Sequence, residues 1–343
     1  MTIPTAAPDN ITAMTSTVAP EAASGISPEE PPSLELTSYG DRVFRWVLTL
    51  GALTIPVLLA FLVFELWMGS RLAIGKFGLS FITTSTWDPV AEQFGAFPLI
   101  FGTLISSTVA LAIAVPLSLG VAIYLSEFAP KSIRQPVAFL ISLLAAIPSV
   151  VYGLWGIFVL IPILRTSVFP FLRDVFGFLP LFQGAIYGPS MLSAGIILAI
   201  MVMPYVMSVS REVLLAVPDT QREAALALGA TRWEAVITAI LPYARSGIVG
   251  AVILGLGRAL GETMAVTMLI GNRHEIAASL FAPGYTMAAA IANEFTEAVG
   301  DMHLSALAYV AFLLFIVTVL VNAGARLLIW RVARGSGIGS KAL

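Results

Sequence analysis

The chain has 343 residues, of which 58% are hydrophobic and only 11% are charged, and its formal net charge is −2. Soluble domains average about 25% charged residues, so the composition excludes an ordinary soluble domain and indicates an integral membrane protein. The charge balance gives no basic excess for nucleic-acid binding, and the lack of cysteine excludes disulfides and thiolate metal sites.

The N-terminal segment, residues 1–41, differs in composition from everything after it. It carries six acidic residues, six prolines and no Lys or Arg. Such a segment cannot bury enough apolar surface to offset the entropy of ordering it, so we predict a disordered tail. It also lacks the basic start and apolar run of a signal peptide.

Six apolar runs follow, and each has the roughly 20 residues needed to cross a bilayer. The sequence therefore predicts an all-α integral membrane fold with six transmembrane helices, near 46–68, 98–124, 137–164, 190–209, 246–270 and 304–330. The predicted divisions after the tail are a first helix with its outer loop, a core domain and a C-terminal tail, at 42–97, 98–331 and 332–343.

The connection at 165–189 is rich in phenylalanine but contains no run of membrane length. We therefore predict a re-entrant or interfacial segment there rather than a seventh span. An ordinary amphipathic cover over the helix bundle is the alternative.

The distribution of Lys and Arg predicts the orientation, because cytoplasmic connections carry an excess of these residues. With the N-terminus inside, twelve fall on the inner side and five on the outer side, and Arg258 lies within a span. The inner residues are Arg42, Arg45, Lys131, Arg134, Arg211, Arg222, Arg232, Arg245, Arg326, Arg331, Arg334 and Lys341; the outer ones are Arg71, Lys76, Arg165, Arg173 and Arg273. We therefore predict that both termini are cytoplasmic.

The third predicted span contains polar and helix-breaking residues. Pro148 frees a backbone carbonyl in the preceding turn, and the hydroxyls of Ser149 and Tyr152 are suited to line a polar path through the membrane. Their alternative role is to form hydrogen bonds within or between helices that hold the packing.

The longest polar interruption in the second half of the chain covers residues 218–242. Thr220 and Glu223 have the spacing of a helix capping box, and Thr231 and Glu234 repeat it. We predict two short helices with a sharp bend between them, held at the membrane face.

The same segment carries the motif of a known family. Glu223-Ala224-Ala225, Gly229 six residues after the glutamate, and the closing Leu241-Pro242 resemble the EAA loop of ABC-importer permeases. Ala239 stands where that family usually has Ile. The resemblance implies that residues 218–242, here named the EAA segment, form a coupling helix that docks into an ATPase subunit. An alanine-rich surface helix with chance spacing is the alternative.

Two charged residues lie inside the fifth predicted span. Residues 254–266 place Arg258 and Glu262 one helical turn apart, with Arg258 roughly 18 Å from the inner end. Each charge costs about 2.5–3.5 kcal/mol at that depth, whereas such a pair contributes only about 0.2–0.5 kcal/mol. We therefore predict that both line a substrate pathway, with a structural interhelical pair as the alternative. Gly257 and Gly261 are predicted to form a close helix-packing surface.

These residues extend the resemblance. GRALGETMAV after an EAA loop, together with IPSVVYGLWG at 147–156, resembles the PstC-type permease family of phosphate ABC importers over roughly residues 42–335. The resemblance implies the ABC importer type I permease fold, a bacterial inner-membrane location and phosphate passage past Arg258 and Glu262. It also implies a second, PstA-type permease, two ATPase subunits and an extracytoplasmic phosphate-binding protein as partners.

The sequence contains no nucleotide-binding motif. In the nearest approach to a phosphate-binding loop, at 70–77, Ser70 replaces the first glycine and Phe77 replaces the residue that holds magnesium. We therefore expect no enzymatic activity and no cofactor on this chain, with ATP and magnesium bound by the partner ATPase. The only histidines are His274 and His303, which argues against a metal centre.

Three alternative functions remain open from the residues. An ABC permease for another oxyanion, such as sulfate or molybdate, needs the same positive charge as a phosphate permease, so charge alone does not distinguish the two. A secondary transporter driven by an ion gradient leaves the EAA segment without a role. An intramembrane enzyme is disfavoured because the sequence has neither a histidine within a predicted span nor a G-x-S-G nucleophile motif.

Overall fold

The computed structural model describes residues 39–334, with side-chain surroundings for residues 40–327. The α-helices of this range are α1 Tyr39–Gly69, α2 Arg71–Phe77, α3 Ser80–Thr83, α4 Phe97–Ile123, α5 Lys131–Ala146, α6 Ser149–Trp155, α7 Ile161–Ile163, α8 Phe169–Phe176, α9 Met191–Leu215, α10 Asp219–Ala227, α11 Arg232–Ala235, α12 Leu241–Gly261, α13 Met264–Ile270, α14 Met287–Glu294 and α15 Asp301–Arg334. Most of both predicted tails, residues 1–38 and 335–343, lies outside the described residues.

Within residues 39–334, six helical segments are long and apolar enough to cross a membrane, which confirms the predicted number and the all-α class. They are Gly40–Gly69, Phe97–Phe128, Ser149–Phe176, Met191–Leu215, Arg232–Gly261 and Asp301–Leu327. The start of α1, up to Leu59, is a compact unit of its own, and the packed core lies in the residues after it.

The third and fifth spans differ in position from the prediction. The third begins at Ser149 rather than near 137, because Pro148 has no N–H to continue the helix and holds Ile147 in extended backbone, with ψ 129°. The fifth begins at Arg232 rather than near 246, because the second short helix of the EAA segment continues directly into it.

Prolines also explain four π-helical turns in the described part of the chain. These turns are Tyr124–Phe128, Gly156–Leu160, Leu164–Val168 and Val236–Ile240, and each ends two residues before a proline: Pro130, Pro162, Pro170 and Pro242. A proline cannot donate to the carbonyl four residues earlier. A wider turn accommodates that missing hydrogen bond. At Pro162, Pro170 and Pro242 the chain stays helical beyond the turn, whereas Ala129 and Pro130 are extended and the helix ends there.

The prediction of a re-entrant or interfacial segment at 165–189 is wrong for its first half. Residues 165–176 continue the third spanning helix, since the widened turn before Pro170 keeps the chain helical. Phe169 is fully buried there and contacts Phe281, with 5.0 Å between ring centroids.

The fourth spanning helix, α9, lies at the centre of the packing. Of its most apolar stretch, 67% is buried, and it contacts α4, α12 and α13. Gly255 of α12 permits a close approach, because a Cβ there would lie 2.6 Å from Val206 of α9. Gly257 and Gly261 make no such contact within this chain, because no atom of another described helix lies within 4 Å of a Cβ built on either residue.

Candidate functional site

Two tyrosine hydroxyls donate hydrogen bonds to backbone carbonyls at the break between α5 and α6. Pro148 has no N–H and cannot donate to the carbonyl of Leu144, four residues earlier. The Tyr152 hydroxyl donates to that carbonyl at 2.8 Å, and the Tyr205 hydroxyl, from α9, donates to the carbonyl of Ala145 at 2.8 Å. Both hydroxyls are thereby held beside the break.

A second helix break lies at Glu262. The helix α12 ends at Gly261, Glu262 has extended backbone with φ −71° and ψ 129°, and α13 begins at Met264. Glu262 is therefore the C-cap of α12, the last residue before the break, and it lies four residues after Arg258. Gly261 is the weak point, since glycine is about 1 kcal/mol less favourable in a helix than alanine.

The two breaks lie at the same level of the bundle. The helices α6 and α13 run side by side in the same direction, since Gly153 faces Ala265 and Gly156 faces Leu269. Ser149, the half-buried first residue of α6, therefore lies level with the start of α13. Irregular backbone at membrane depth is tolerated where protein buries it or where it lines a water-filled cavity.

Arg258 contacts an aromatic ring rather than a carboxylate. Its guanidinium carbon lies over the Tyr205 ring, 4.2 Å from the centroid, and Tyr152 is close enough to both residues to interact electrostatically. Within residues 40–327 no ion pair involves Arg258, and its Nε is buried without a hydrogen-bond partner.

The contact with the ring offsets only part of the cost of burying this charge. A cation–π contact stabilises by about 0.5–2 kcal/mol, against about 2.5–3.5 kcal/mol for an arginine at the centre of a membrane helix. A ring on the guanidinium face leaves the in-plane N–H donors free, and the buried Nε of Arg258 is one of them. The arrangement is a fixed cation with unused donors, and the planar fork of a guanidinium suits two oxygens of an oxyanion.

The structure thus brings together two of the four predicted pathway residues, Arg258 and Tyr152, and places Ser149 and Glu262 at the two breaks. Tyr205, which the sequence analysis did not select, links Arg258 to the first break. Its ring contacts Arg258, and its hydroxyl donates to a carbonyl at that break. Its only signal in the sequence was a Pro-Tyr pair in an otherwise apolar span.

The EAA segment has the predicted bend. After α10 ends at Ala227, Gly229 adopts φ +86°, a left-handed conformation that disfavours residues with a Cβ. Thr231 and Glu234 then form the predicted capping box. The backbone N and Oγ1 of Thr231 donate to Glu234 Oε2 at 2.7 and 2.8 Å, and the Glu234 backbone N donates to Thr231 Oγ1 at 3.3 Å.

Two details of the segment differ from the prediction. The first capping box does not form, because Pro218 occupies the N-cap of α10 and offers no side-chain acceptor, which leaves Thr220 and Glu223 inside the helix. Leu241 and Pro242 do not close a loop but lie in the first turn of α12, within the continuous fifth span.

The helix α10 presents its motif residues outward. Glu223 and Ala224 are exposed and Ala225 is half-buried, and no residue of α10 is buried. Leu228, at the bend, is 89% exposed. Glu223, Ala224 and Leu228 are thus accessible on the surface of this chain.

At the opposite end of the bundle the two histidines of the chain meet at one carboxylate. His303 Nε2 lies 3.3 Å from Glu294 Oε2, and His274 Nε2 lies 3.5 Å from Glu294 Oε1. Trp87 Nε1 donates to Glu294 Oε2 at 2.7 Å, and its ring stacks on His274. These side chains line a cavity of about 530 Å³. The part of the chain with described side chains holds no group of three His, Asp or Glu arranged to bind a metal ion.

Burial shifts the pKa of two residues here, His274 and Tyr285. It lowers the pKa of His274 to about 4, so this imidazole is neutral at pH 7. It also raises the pKa of Tyr285, whose ring contacts His274, to about 12. The sequence analysis missed this cluster, because its members come from connections far apart in the chain.

Comparison with known proteins agrees with the fold. Residues 114–334 match the family described as binding-protein-dependent transport system inner membrane component. A phosphate transport system permease protein PstC from Mesorhizobium japonicum is 46% identical over 301 residues, covering 87% of this chain and 92% of that protein. The PstC protein of Haemophilus influenzae is also 46% identical over 301 residues, covering 87% and 95%.

Among solved structures, a bacterial ABC transporter involved in the import of the acidic polysaccharide alginate aligns with a TM-score of 0.50. The alignment covers 84% of this chain and 98% of that chain at 18% identity, so it supports the fold alone.

The family match and the six apolar helices make this a multi-pass inner-membrane protein with an ABC-importer permease fold. With 46% identity over most of its length to curated PstC proteins, the chain belongs to the family of binding-protein-dependent transport system inner membrane components, among its PstC-type permeases.

Proposed function

We propose that this chain is the membrane-spanning permease subunit of an ATP-driven importer that moves inorganic phosphate into the cytoplasm. The observation that carries the proposal is Arg258, a fixed cation with a buried, unused N–H donor beside two broken helices. The PstC relatives are named as phosphate transport permeases, and we propose phosphate as the substrate on that basis.

In this proposal phosphate passes Arg258 and binds it transiently through the in-plane N–H donors. The guanidinium stays protonated when desolvated, and its planar fork matches two phosphate oxygens. Tyr205 covers one guanidinium face, so that the edge is offered to the anion. Glu262, at the adjacent break, repels the anion and weakens a site that has to release its cargo. Ser149 and Tyr152 contribute hydroxyls along the same path.

The EAA segment is proposed to couple this path to ATP hydrolysis. Glu223, Ala224 and Ala225 on α10 form the ATPase-docking surface with the exposed bend at Gly229, and Leu241 and Pro242 join this surface rigidly to the fifth span. ATP-Mg is bound and hydrolysed by the ATPase and not by this chain. The EAA segment and both termini then lie on the cytoplasmic side of the bilayer.

The complete importer is proposed to contain this chain, a PstA-type permease, two ATPase subunits and an extracytoplasmic phosphate-binding protein. The two permeases rock between outward and inward openings as the ATPases close and open. A guanidinium recognises sulfate and molybdate by the same chemistry, so part of the selectivity for phosphate is assigned to the binding protein.

Co-purification followed by reconstitution tests the proposal. The chain is expected to co-purify with the ATPases and the second permease, and phosphate with its binding protein should stimulate ATP hydrolysis and accumulate inside liposomes. Sulfate and molybdate serve as matched competitors. Phosphate accumulation without ATP, driven by an ion gradient alone, would overturn the proposal.

A further inference from the structure

One arginine of the EAA segment makes more hydrogen bonds than a surface helix requires. Arg222 binds the carboxylate of Glu127 through two parallel bonds, from Nε to Oε2 at 3.2 Å and from Nη2 to Oε1 at 3.0 Å. Nη2 also donates to the carbonyl of Leu214 at 2.8 Å. Nη1 donates to the carbonyl of Val217 and to Asp219 Oδ1.

The Arg222–Glu127 pair is shielded from water. The side chains are 19% and 11% exposed, whereas that of Asp219 is 87% exposed. Hydrogen bonding with Glu127 raises the pKa of Arg222 further above its usual value, so the residue stays charged. A bidentate pair of this kind fixes orientation as well as distance, unlike an exposed ion pair, which contributes little.

The helix α10 is held only weakly by packing. It contacts the start of the fifth span, but none of its residues is buried, so burial of apolar side chains contributes little to its position. Arg222 connects it to two spanning helices at once. Glu127 belongs to the π-helical turn that ends the second span, and Leu214 is in the last turn of α9.

From Leu214 the connection continues along one rigid helix to the proposed pathway. Tyr205 lies nine residues earlier on α9, about 14 Å at helical rise, and its ring covers Arg258. We propose that Arg222 is a positioning residue that makes α10 move as one body with the inner ends of the second and fourth spans. This inference rests on the proposed coupling function, since it states how a force on α10 reaches Arg258.

Matched variants of the complete importer test the link. Arg222→Lys keeps the charge but loses the planar fork, Glu127→Gln keeps the shape but loses the charge, and Asp219→Asn neutralises only the exposed partner. The first two are expected to assemble but to transport at least fivefold less phosphate per ATP hydrolysed, and Asp219→Asn to stay within twofold of the wild type. Normal transport per ATP in Arg222→Lys and Glu127→Gln would overturn the inference.

A distance measurement tests the same link with Arg222 and Glu127 intact. Because the chain has no cysteine, spin labels can be placed at Thr220→Cys on α10 and Lys131→Cys after the second span, both exposed positions. In a labelled complex that retains uptake, the distance between the labels should be the same without nucleotide and with ATP bound. A distance that changes on ATP binding would show that α10 slides against the second span, which overturns the inference.

The wild-type complex separates failure of this link from failure of the proposed function. If the wild-type importer accumulates no phosphate with ATP, the proposed function fails. If it accumulates phosphate and the variants match it, only the role of Arg222 fails.

Discussion

Replacing Tyr205 separates the contribution of its ring from that of its hydroxyl. Tyr205→Phe keeps the ring over Arg258 and removes only the hydrogen bond to the Ala145 carbonyl. Tyr205→Leu removes both and leaves a smaller apolar side chain, so the amount of assembled complex is measured as a control for lost packing. The pair of variants therefore tests whether the aromatic face orients the guanidinium.

The structure gives the size of the expected effect. A guanidinium 4.2 Å from the ring centroid makes a contact worth about 0.5–2 kcal/mol, which converts to roughly a 2–30-fold change in rate. Tyr205→Leu should lower the maximal rate of phosphate uptake in proteoliposomes by that factor. Tyr205→Phe should retain most of the rate, because the anion meets Arg258 and not the phenol.

The assay measures initial phosphate uptake with saturating binding protein and ATP, normalised to the amount of assembled complex. Equal loss of uptake in Tyr205→Phe and Tyr205→Leu would refute the reasoning, because the hydroxyl and not the ring would then be the part that matters. Wild-type uptake in Tyr205→Leu would refute it as well.

Three further predictions follow from other parts of the structure. Arg258→Gln should abolish phosphate uptake while the complex still assembles, and Arg258→Lys should not restore it because the ammonium lacks a planar fork; normal uptake by Arg258→Gln would contradict the pathway. Gly229→Ala should lower thermal stability by about 1–2 kcal/mol because φ is +86°, whereas Gly229→Asn should lose less; equal stability of Gly229→Ala and wild type would contradict the left-handed bend. The folded protein should lose up to about 3 kcal/mol as pH falls from 6.5 to about 4, because unfolded His274 binds a proton before buried His274 does. His274→Gln, which leaves Glu294, His303 and Tyr285 in place, should lack this part of the pH dependence of thermal unfolding, and an unchanged profile would contradict it.

Features that depend on local sequence were predictable. Hydropathy predicted the six spans, the Thr231–Glu234 spacing predicted the capping box, and Gly229 predicted the bend. Each of these features depends on residues that are close together in the sequence. Pro148 also gave a freed carbonyl, and the structure identifies it as that of Leu144.

Features that depend on distant residues were not predictable. Tyr205 and Arg258 lie on different spans, and Arg222 and Glu127 are 95 residues apart. No periodicity in a single sequence indicates such pairs. The break at Glu262 was missed for a different reason: no proline marks it, and a single glycine is only a weak helix breaker.

The most direct test of the account is the side of the membrane on which the EAA segment lies. Leu228 is 89% exposed at its bend, and Leu228→Cys would be the only cysteine in the chain. A membrane-impermeant thiol reagent should label this residue only after the cells are opened, and bound ATPase subunits should protect it. Labelling of Leu228→Cys in intact cells would place the segment outside, beyond the reach of any cytoplasmic ATPase, and would contradict the account.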